Sequence, residues 1–200
     1  MLDQEFWEAR YAEEQTGWDL GSISPPLKAY FEGLRDRSQR ILIPGCGRAY
    51  EAEYLWQQGF EQVHVLDWSE RALTDFARRV PGFPTAHLHA GDFFAHQGPY
   101  DLVVEQTFFC ALDPALRPRY VQKMHELLAP GGRLVGLLFN DPLNDDRPPF
   151  GGNEAEYRAL ITGTFALEQL QTAPNSIAPR AGREFFLVAR KADLSDGLAF

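Results

Sequence analysis

The chain has little cysteine, little lysine and no long apolar run, and each shortage narrows what it can be. Two cysteines, Cys46 and Cys110, in 200 residues are too few for a disulfide framework and lack the paired spacing of a zinc site. Both are expected to be reduced thiols, and no metal site is expected. Three lysines stand beside sixteen arginines without forming a basic cluster, and the net charge is −9. That balance leaves no electrostatic footprint for nucleic acid or an anionic membrane, so the expected partner is a small molecule. No stretch approaches the roughly 20 apolar residues of a membrane span, and Met1 is followed by acids and aromatics rather than a basic, apolar leader. A cytoplasmic location is the resulting expectation. With 44% apolar and 24% charged residues, the composition suits one continuous core, hence a single domain over residues 1–200.

What is present is concentrated between Arg40 and Asp67. Ile41-Leu42-Ile43 is a short apolar run, Pro44-Gly45-Cys46-Gly47 breaks it, Ala49 to Gln58 suits a helix that Gly59 stops, and Val63 to Leu66 forms a second run ending in Asp67. Glycines let a ligand approach the backbone, and the N-terminus of the following helix offers unpaired N–H groups. An acid at the end of the second strand, twenty residues after Gly47, is placed to accept both ribose hydroxyls of an adenosine-type cofactor. The bland alternative is that Gly45 and Gly47 only turn the chain and Asp67 caps a loop. A nicotinamide-dinucleotide fingerprint requires a third glycine where this chain has Tyr50, so the looser glycine loop of S-adenosylmethionine (SAM) binders fits better, with Ala49 in place of its last glycine.

The rest alternates between helix and strand. Leu2, Phe6, Trp7 and Tyr11 recur at helical spacing up to Thr16-Gly17, and Trp18-Asp19-Leu20-Gly21 is non-helical. Ser24-Pro25-Pro26 then caps a helix whose Leu27, Tyr30, Phe31 and Leu34 share one face. Ser69 to Val80 reads as a capped helix, Thr85 to His89 as a third strand leading into Gly91-Asp92-Phe93-Phe94, and Tyr100 to Glu105 as a buried fourth strand. His87 and His89 alternate onto one strand face, but a metal would need a third ligand nearby. Asp113-Pro114 starts a helix carrying Leu116, Tyr120, Met124, Leu127 and Leu128. Pro130-Gly131-Gly132 turns the chain into a strand from Arg133 to Phe139. A mobile, proline-rich loop from Asn140 to Gly152 precedes a helix near Glu154 to Ile161 and closing strands at Phe165 to Leu170 and Glu184 to Arg190. This alternation gives a doubly wound α/β sheet, whose ligand belongs beyond the strand C-termini, where Glu105-Gln106-Thr107-Phe108-Phe109-Cys110 lies.

Together, Ile43-Pro44-Gly45-Cys46-Gly47, Trp18-Asp19-Leu20-Gly21, Thr107-Phe108-Phe109-Cys110-Ala111 and Leu127 to Gly132 resemble the thiopurine S-methyltransferase-like group. That group includes thiopurine methyltransferases and plant halide and thiol methyltransferases, all class I SAM-dependent enzymes. The resemblance runs from about Phe6 to Phe150 and continues more weakly to Arg190. It implies a mostly parallel, seven-stranded Rossmann-like sheet with helices on both faces, formed by residues 39–190, under an N-terminal helical cover of residues 1–38. It also implies that Gly45, Cys46 and Gly47 lie beside the methionine part of SAM, Asp67 takes the ribose hydroxyls, and Trp68 lies near the adenine. Asp92 and Phe93 would recognise the adenine amino group and ring face, Glu105 and Thr107 would approach the methionine end, and Trp18 would close over the cofactor. Thiopurine enzymes tend to carry an arginine after the fourth-strand acid. Gln106 followed by Thr107-Phe108-Phe109-Cys110 resembles the halide and thiol branch instead.

The implied reaction is methyl transfer from SAM to a small soft nucleophile, a thiol or thiolate before a halide, a thiopurine or another small heterocycle. It asks the protein mainly for orientation in a dry pocket. Phe108, Phe109, Phe150 and Trp18 are candidate walls, although phenylalanines also simply fill cores. Arg117 is a candidate for steering an anionic acceptor, with a surface ion pair as its plain alternative. No general base is evident near the acceptor position. The competing functions are a nicotinamide-dependent oxidoreductase and a SAM-binding protein without catalysis; a monomer or weak homo-oligomer is expected.

Overall fold

The computed structural model describes residues 3–192, so the N-terminal Leu2 lies outside the described residues. Seven strands form one sheet: β1 (Ile41–Pro44), β2 (Val63–Asp67), β3 (Leu88–Ala90), β4 (Tyr100–Gln106), β5 (Leu128–Phe139), β6 (Ala166–Thr172) and β7 (Glu184–Arg190). Their order is β3-β2-β1-β4-β5-β7-β6. The first five are parallel, and β7 runs antiparallel between β5 and β6. The helices are α1 (Gln4–Ala12), α2 (Pro25–Glu32), α3 (Tyr50–Gln57), α4 (Glu70–Arg79), α5 (Arg117–Leu127) and α6 (Glu154–Thr162).

Side-chain alternation along the central strands explains why helices cover both faces. Ile41, Ile43, Val63, Val65, Leu102 and Val104 pack in one cluster with Leu27, Phe31, Leu55 and Phe76 of α2, α3 and α4. The residues between them, Leu42, Leu66 and Val103, face a second cluster with Tyr120, Met124 and Ile161 of α5 and α6. A strand buried on both faces reads as a continuous apolar run, as Ile41-Leu42-Ile43 does.

Local structure departs from the sequence reading at several points. Thr85–His87 is a turn of 3-10 helix, and the strand itself is only Leu88–Ala90, paired from Val65↔Leu88 to Asp67↔Ala90. His87 therefore does not alternate with His89 on a strand. Pro130-Gly131-Gly132 does not precede β5 but bulges within it, where the register jumps from Tyr100↔Leu128 to Leu102↔Arg133. Helix α1 stops at Ala12, before Thr16-Gly17, with Glu14 in a left-handed conformation. Ser24 occupies the N-cap position of α2 without a side-chain cap bond; its N–H instead donates to Glu51 at 3.1 Å. Residues 140–152 close on themselves through bridges Asp141↔Gly152 and Asn144↔Phe150.

Candidate active site

The loop after β1 holds three left-handed residues: Gly45 (φ +58°), Gly47 (φ +51°) and Ala49 (φ +53°). A Cβ on Gly45 would fall 2.4 Å from the Phe108 ring, and one on Gly47 would fall 2.8 Å from the Tyr11 hydroxyl oxygen. Both glycines are thus required by contact as well as by dihedral. Ala49 adopts the same conformation at the steric cost a Cβ brings there.

Asp67 ends β2 with its carboxylate directed at this loop. It accepts the Gly47 N–H at 2.9 Å and the Ser69 N–H at 2.9 Å. Burial raises its pKa, and these N–H bonds oppose the rise. Helix α1 lies over the same strand end. Glu8 accepts the Glu70 N–H at 2.8 Å and the Ser69 hydroxyl at 3.1 Å, while Gln4 donates to the Trp68 carbonyl at 3.1 Å. The Trp18 ring meets Trp7 and Tyr11 edge-on at 5.6 and 5.9 Å, and its carbonyl accepts from Arg180 at 3.0 Å.

Between these elements is an open pocket lined by Trp18, Gly45, Cys46, Gly47, Gln106 and Thr107, among others. Thr107 is left-handed (φ +57°), an unusual conformation for a β-branched residue, and its hydroxyl donates to the Gln106 carbonyl. The Gln106 Oε1 is buried without a hydrogen-bond partner. A buried acceptor at a pocket wall fits a ligand that brings a donor, such as an amino-acid ammonium. On the β3 side, the Gly91 N–H donates to the Asp67 carbonyl at 3.0 Å, so the Gly91-Asp92-Phe93 loop leaves the sheet beside Asp67. Asp92 accepts the Phe94 N–H at 2.9 Å, and Phe93 packs on Phe108 with ring centroids 5.1 Å apart.

Four residues expected at the site lie outside the pocket lining. Glu105 is 1% exposed, and its carboxylate accepts the N–H groups of Phe108 and Phe109 and the Tyr120 hydroxyl. It holds the turn after β4 from beneath rather than approaching a ligand, because strand alternation sends it inward. Burial lifts its pKa to about 7 against the effect of those three donors. Phe109 packs against Tyr120 and Tyr157 in the core. Arg117 is 4% exposed, bonded to Glu156 and to the Gly151 carbonyl, with its guanidinium 4.7 Å from the Phe109 ring centroid. It ties residue 151 to α5 and is not free to steer a ligand. Phe150 is buried with its N–H bonded to the Cys110 carbonyl.

Tyr11, Glu8 and Arg180 brace the pocket wall and the end of β2 from outside, without having been singled out in the sequence. Tyr11 showed only helical spacing, and Arg180 bonds Trp18 from 162 residues away. Neither contact has a local signal. Tyr11 and Cys46 both have raised pKa values, chiefly from burial and then from the Asp67 charge. Neither group is poised to ionise near neutrality.

A family model described as thiopurine S-methyltransferase matches residues 2–184. The chain is 31% identical over 185 residues to a probable thiol methyltransferase 2 of Arabidopsis thaliana, covering 89% of this chain and 81% of that protein. It is 31% identical over 182 residues to a thiopurine S-methyltransferase of Vibrio cholerae, covering 82% and 83% respectively. Among solved structures, it superimposes on a Burkholderia thailandensis 1,6-didemethyltoxoflavin-N1-methyltransferase with bound S-adenosylhomocysteine. The TM-score is 0.75 at 21% identity, with 96% of this chain and 88% of that chain covered, a likeness of fold.

Proposed function

The chain belongs to the thiopurine S-methyltransferase family, and we propose that it transfers a methyl group from SAM to a small thiol or thiolate. It is a SAM-dependent methyltransferase; the acceptor and the residue roles are our reading. The observation that carries this reading is the Asp67 carboxylate bonded to the Gly47 N–H at the foot of the glycine loop. This pairing sets an acid for ribose hydroxyls beside backbone that a ligand can approach. In our assignment, Gly45, Cys46 and Gly47 flank the methionine part, Gln106 and Thr107 face its amino-acid end, and Trp18 covers the pocket. Trp68, Asp92 and Phe93 form the adenine side. Phe108, braced against Gly45 and Phe93, supplies a dry wall. Residues 1–38 act as a cover on a single catalytic domain.

Bound SAM supplies an electrophilic methyl on a sulfonium. The residues around it hold the acceptor in line and exclude water, which can lower the barrier by roughly 7–11 kcal/mol. No base is needed if the acceptor arrives ionised: an ordinary thiol has a pKa of about 8.5 and is already a few per cent thiolate near neutrality. Glu105, the nearest rival as a base, has its carboxylate engaged by three protein donors. The thiol reading also draws on the thiol and thiocyanate methyltransferases among the relatives. Among the described residues, no helix is long and apolar enough to cross a membrane. A cytoplasmic monomer or weak homo-oligomer acting on a small molecule, with neither nucleic acid nor membrane as partner, completes the proposal.

The test is a labelled-SAM assay across thiols, halides, thiopurines and hydroxylated or N-heterocyclic metabolites. Labelled thioether from thiols at the highest kcat/KM is expected. Turnover confined to a halide or a heterocycle would replace the acceptor assignment.

A further inference from the structure

Four of the five histidines gather at the β3 edge of the sheet. The Nδ1 of His64 and the Nε2 of His89 are 3.0 Å apart, and the rings of His64 and His87 stack with centroids 4.0 Å apart. His96 meets the His89 ring at 4.9 Å, and its Nε2 lies 2.8 Å from the Tyr100 hydroxyl. His64 is 5% exposed, and its Nε2 and the Nδ1 of His87 are buried without partners. Among the described residues, no group of three potential ligands is arranged to hold a metal ion; each imidazole can take up a proton.

We propose that the cluster is an acid-operated latch on the adenine side of the cofactor site: protonation frees β3 with the Gly91-Asp92-Phe93 loop, and cofactor affinity falls. This rests on the assignment of that loop to the adenine. His89 and His96 bracket the loop, and β3 is a three-residue edge strand. The His64–His89 contact needs one ring to donate and the other to accept, and two imidazolium rings would face each other with donors only. The charged groups acting on the cluster are basic: Arg40, ahead of β1, and Lys123 on α5, whose own partner is Glu126. Arg40 also lies over the Tyr100 ring at 4.9 Å, and Phe83 meets His87 edge-on.

Burial and these neighbours push His64 down to about 3 and His96 to about 4, and His89 downward as well. Released imidazoles return towards about 6.5. The closed latch is therefore fully favoured above pH 6.5 and loses that advantage as pH falls towards 4. Several histidines acting together make the loss steeper than one proton per event. By linkage, cofactor binding at acid pH must expel those protons.

The test is calorimetric titration with S-adenosylhomocysteine from pH 7.5 to 5.0, in buffers of different ionisation enthalpy that count released protons. Wild type is expected to lose about tenfold or more in affinity between pH 7 and pH 5, with more than one proton released per ligand at the acid end. In H89Q/H96Q, whose amides stay neutral, the loss should be shallower and the release smaller. A loss under twofold would overturn the latch, and so would an identical loss and proton count in the variant, which would place the titrating group outside the histidine cluster, with the buried Asp67 the first to examine. If the variant does not fold, imidazole NMR of wild type decides: independent titration of the cluster rings near 6.5 contradicts the latch, and a late, concerted step supports it. If no S-adenosylhomocysteine binds at pH 7.5, the cofactor reading fails. Hydrogen exchange then judges the latch separately. Opening confined to residues 88–96 below pH 6, after correction for intrinsic rates, supports it, and unchanged protection overturns it.

Discussion

The Phe108 ring occupies the space that a side chain at residue 45 would need, with only 2.4 Å between its Cδ2 and a Cβ built on Gly45. The turn after β4 and the loop after β1 are therefore fitted to each other across the pocket. Gly45→Ala should lower stability by about 1–3 kcal/mol through overpacking and left-handed strain, and should weaken SAM binding. Shortening the ring in the Gly45→Ala/Phe108→Ala double variant should recover part of the stability. Thermal melts and calorimetry of both proteins check this; no recovery in the double variant would leave dihedral strain as the sole cause.

Asp67→Ala should reduce S-adenosylhomocysteine affinity by about 1.5–3 kcal/mol, the worth of charged hydrogen bonds to a ligand. The apo protein should also melt lower, because the Gly47 and Ser69 N–H groups lose their acceptor. Asp67→Asn should restore more of the melting temperature than of the affinity. Unchanged affinity in Asp67→Ala would remove this residue from the site.

The framework was legible in the sequence and several site contacts were not. Apolar runs separated by glycine loops marked the parallel strands, since a strand covered on both faces must be apolar throughout, as Ile41-Leu42-Ile43 is. The meeting of the glycine loop with Asp67 was legible because both lie within one β1–α3–β2 unit. Glu105 and Arg117 were misplaced for one reason: a charged residue at a strand end or helix start suggests solvent or ligand, and nothing nearby in sequence reveals the partners that bury it. Tyr120 for Glu105 and Glu156 for Arg117 come from later elements. Ala49, read in the sequence as standing where the loop's last glycine would be, takes the left-handed conformation such a glycine would adopt.

Glu105 should govern the pH dependence of stability rather than of catalysis. Its folded pKa of about 7 lies above the ordinary carboxylate value, so the neutral form favours the fold. That contribution is complete below about pH 4.5 and is lost as pH rises through 7. Glu105→Gln keeps an oxygen for the Phe108 and Phe109 N–H groups and an amide to donate to Tyr120. It should flatten denaturant stability across this window and gain about 2–4 kcal/mol above pH 8. A variant that is less stable at pH 8 would contradict the assignment.

Arg117→Met should destabilise by about 2–3 kcal/mol, because it removes a buried cation bonded to Glu156 and to the Gly151 carbonyl. The ratio of kcat/KM for anionic and neutral thiols should stay within about twofold of wild type, since the guanidinium does not face the pocket. A selective loss for anionic acceptors, in protein shown to be folded, would return Arg117 to a steering role.

The central claim is that the site selects thiolate rather than making it. Rates at subsaturating acceptor and saturating SAM, measured from pH 6 to 10 for thiols of graded pKa, test it most directly in wild type and in Glu105→Gln. The account predicts that each profile rises with the titration of its own thiol, that the midpoint moves with thiol pKa, and that the variant follows the same curves. A midpoint fixed across the series and abolished in Glu105→Gln would show an enzyme base at work and contradict the account.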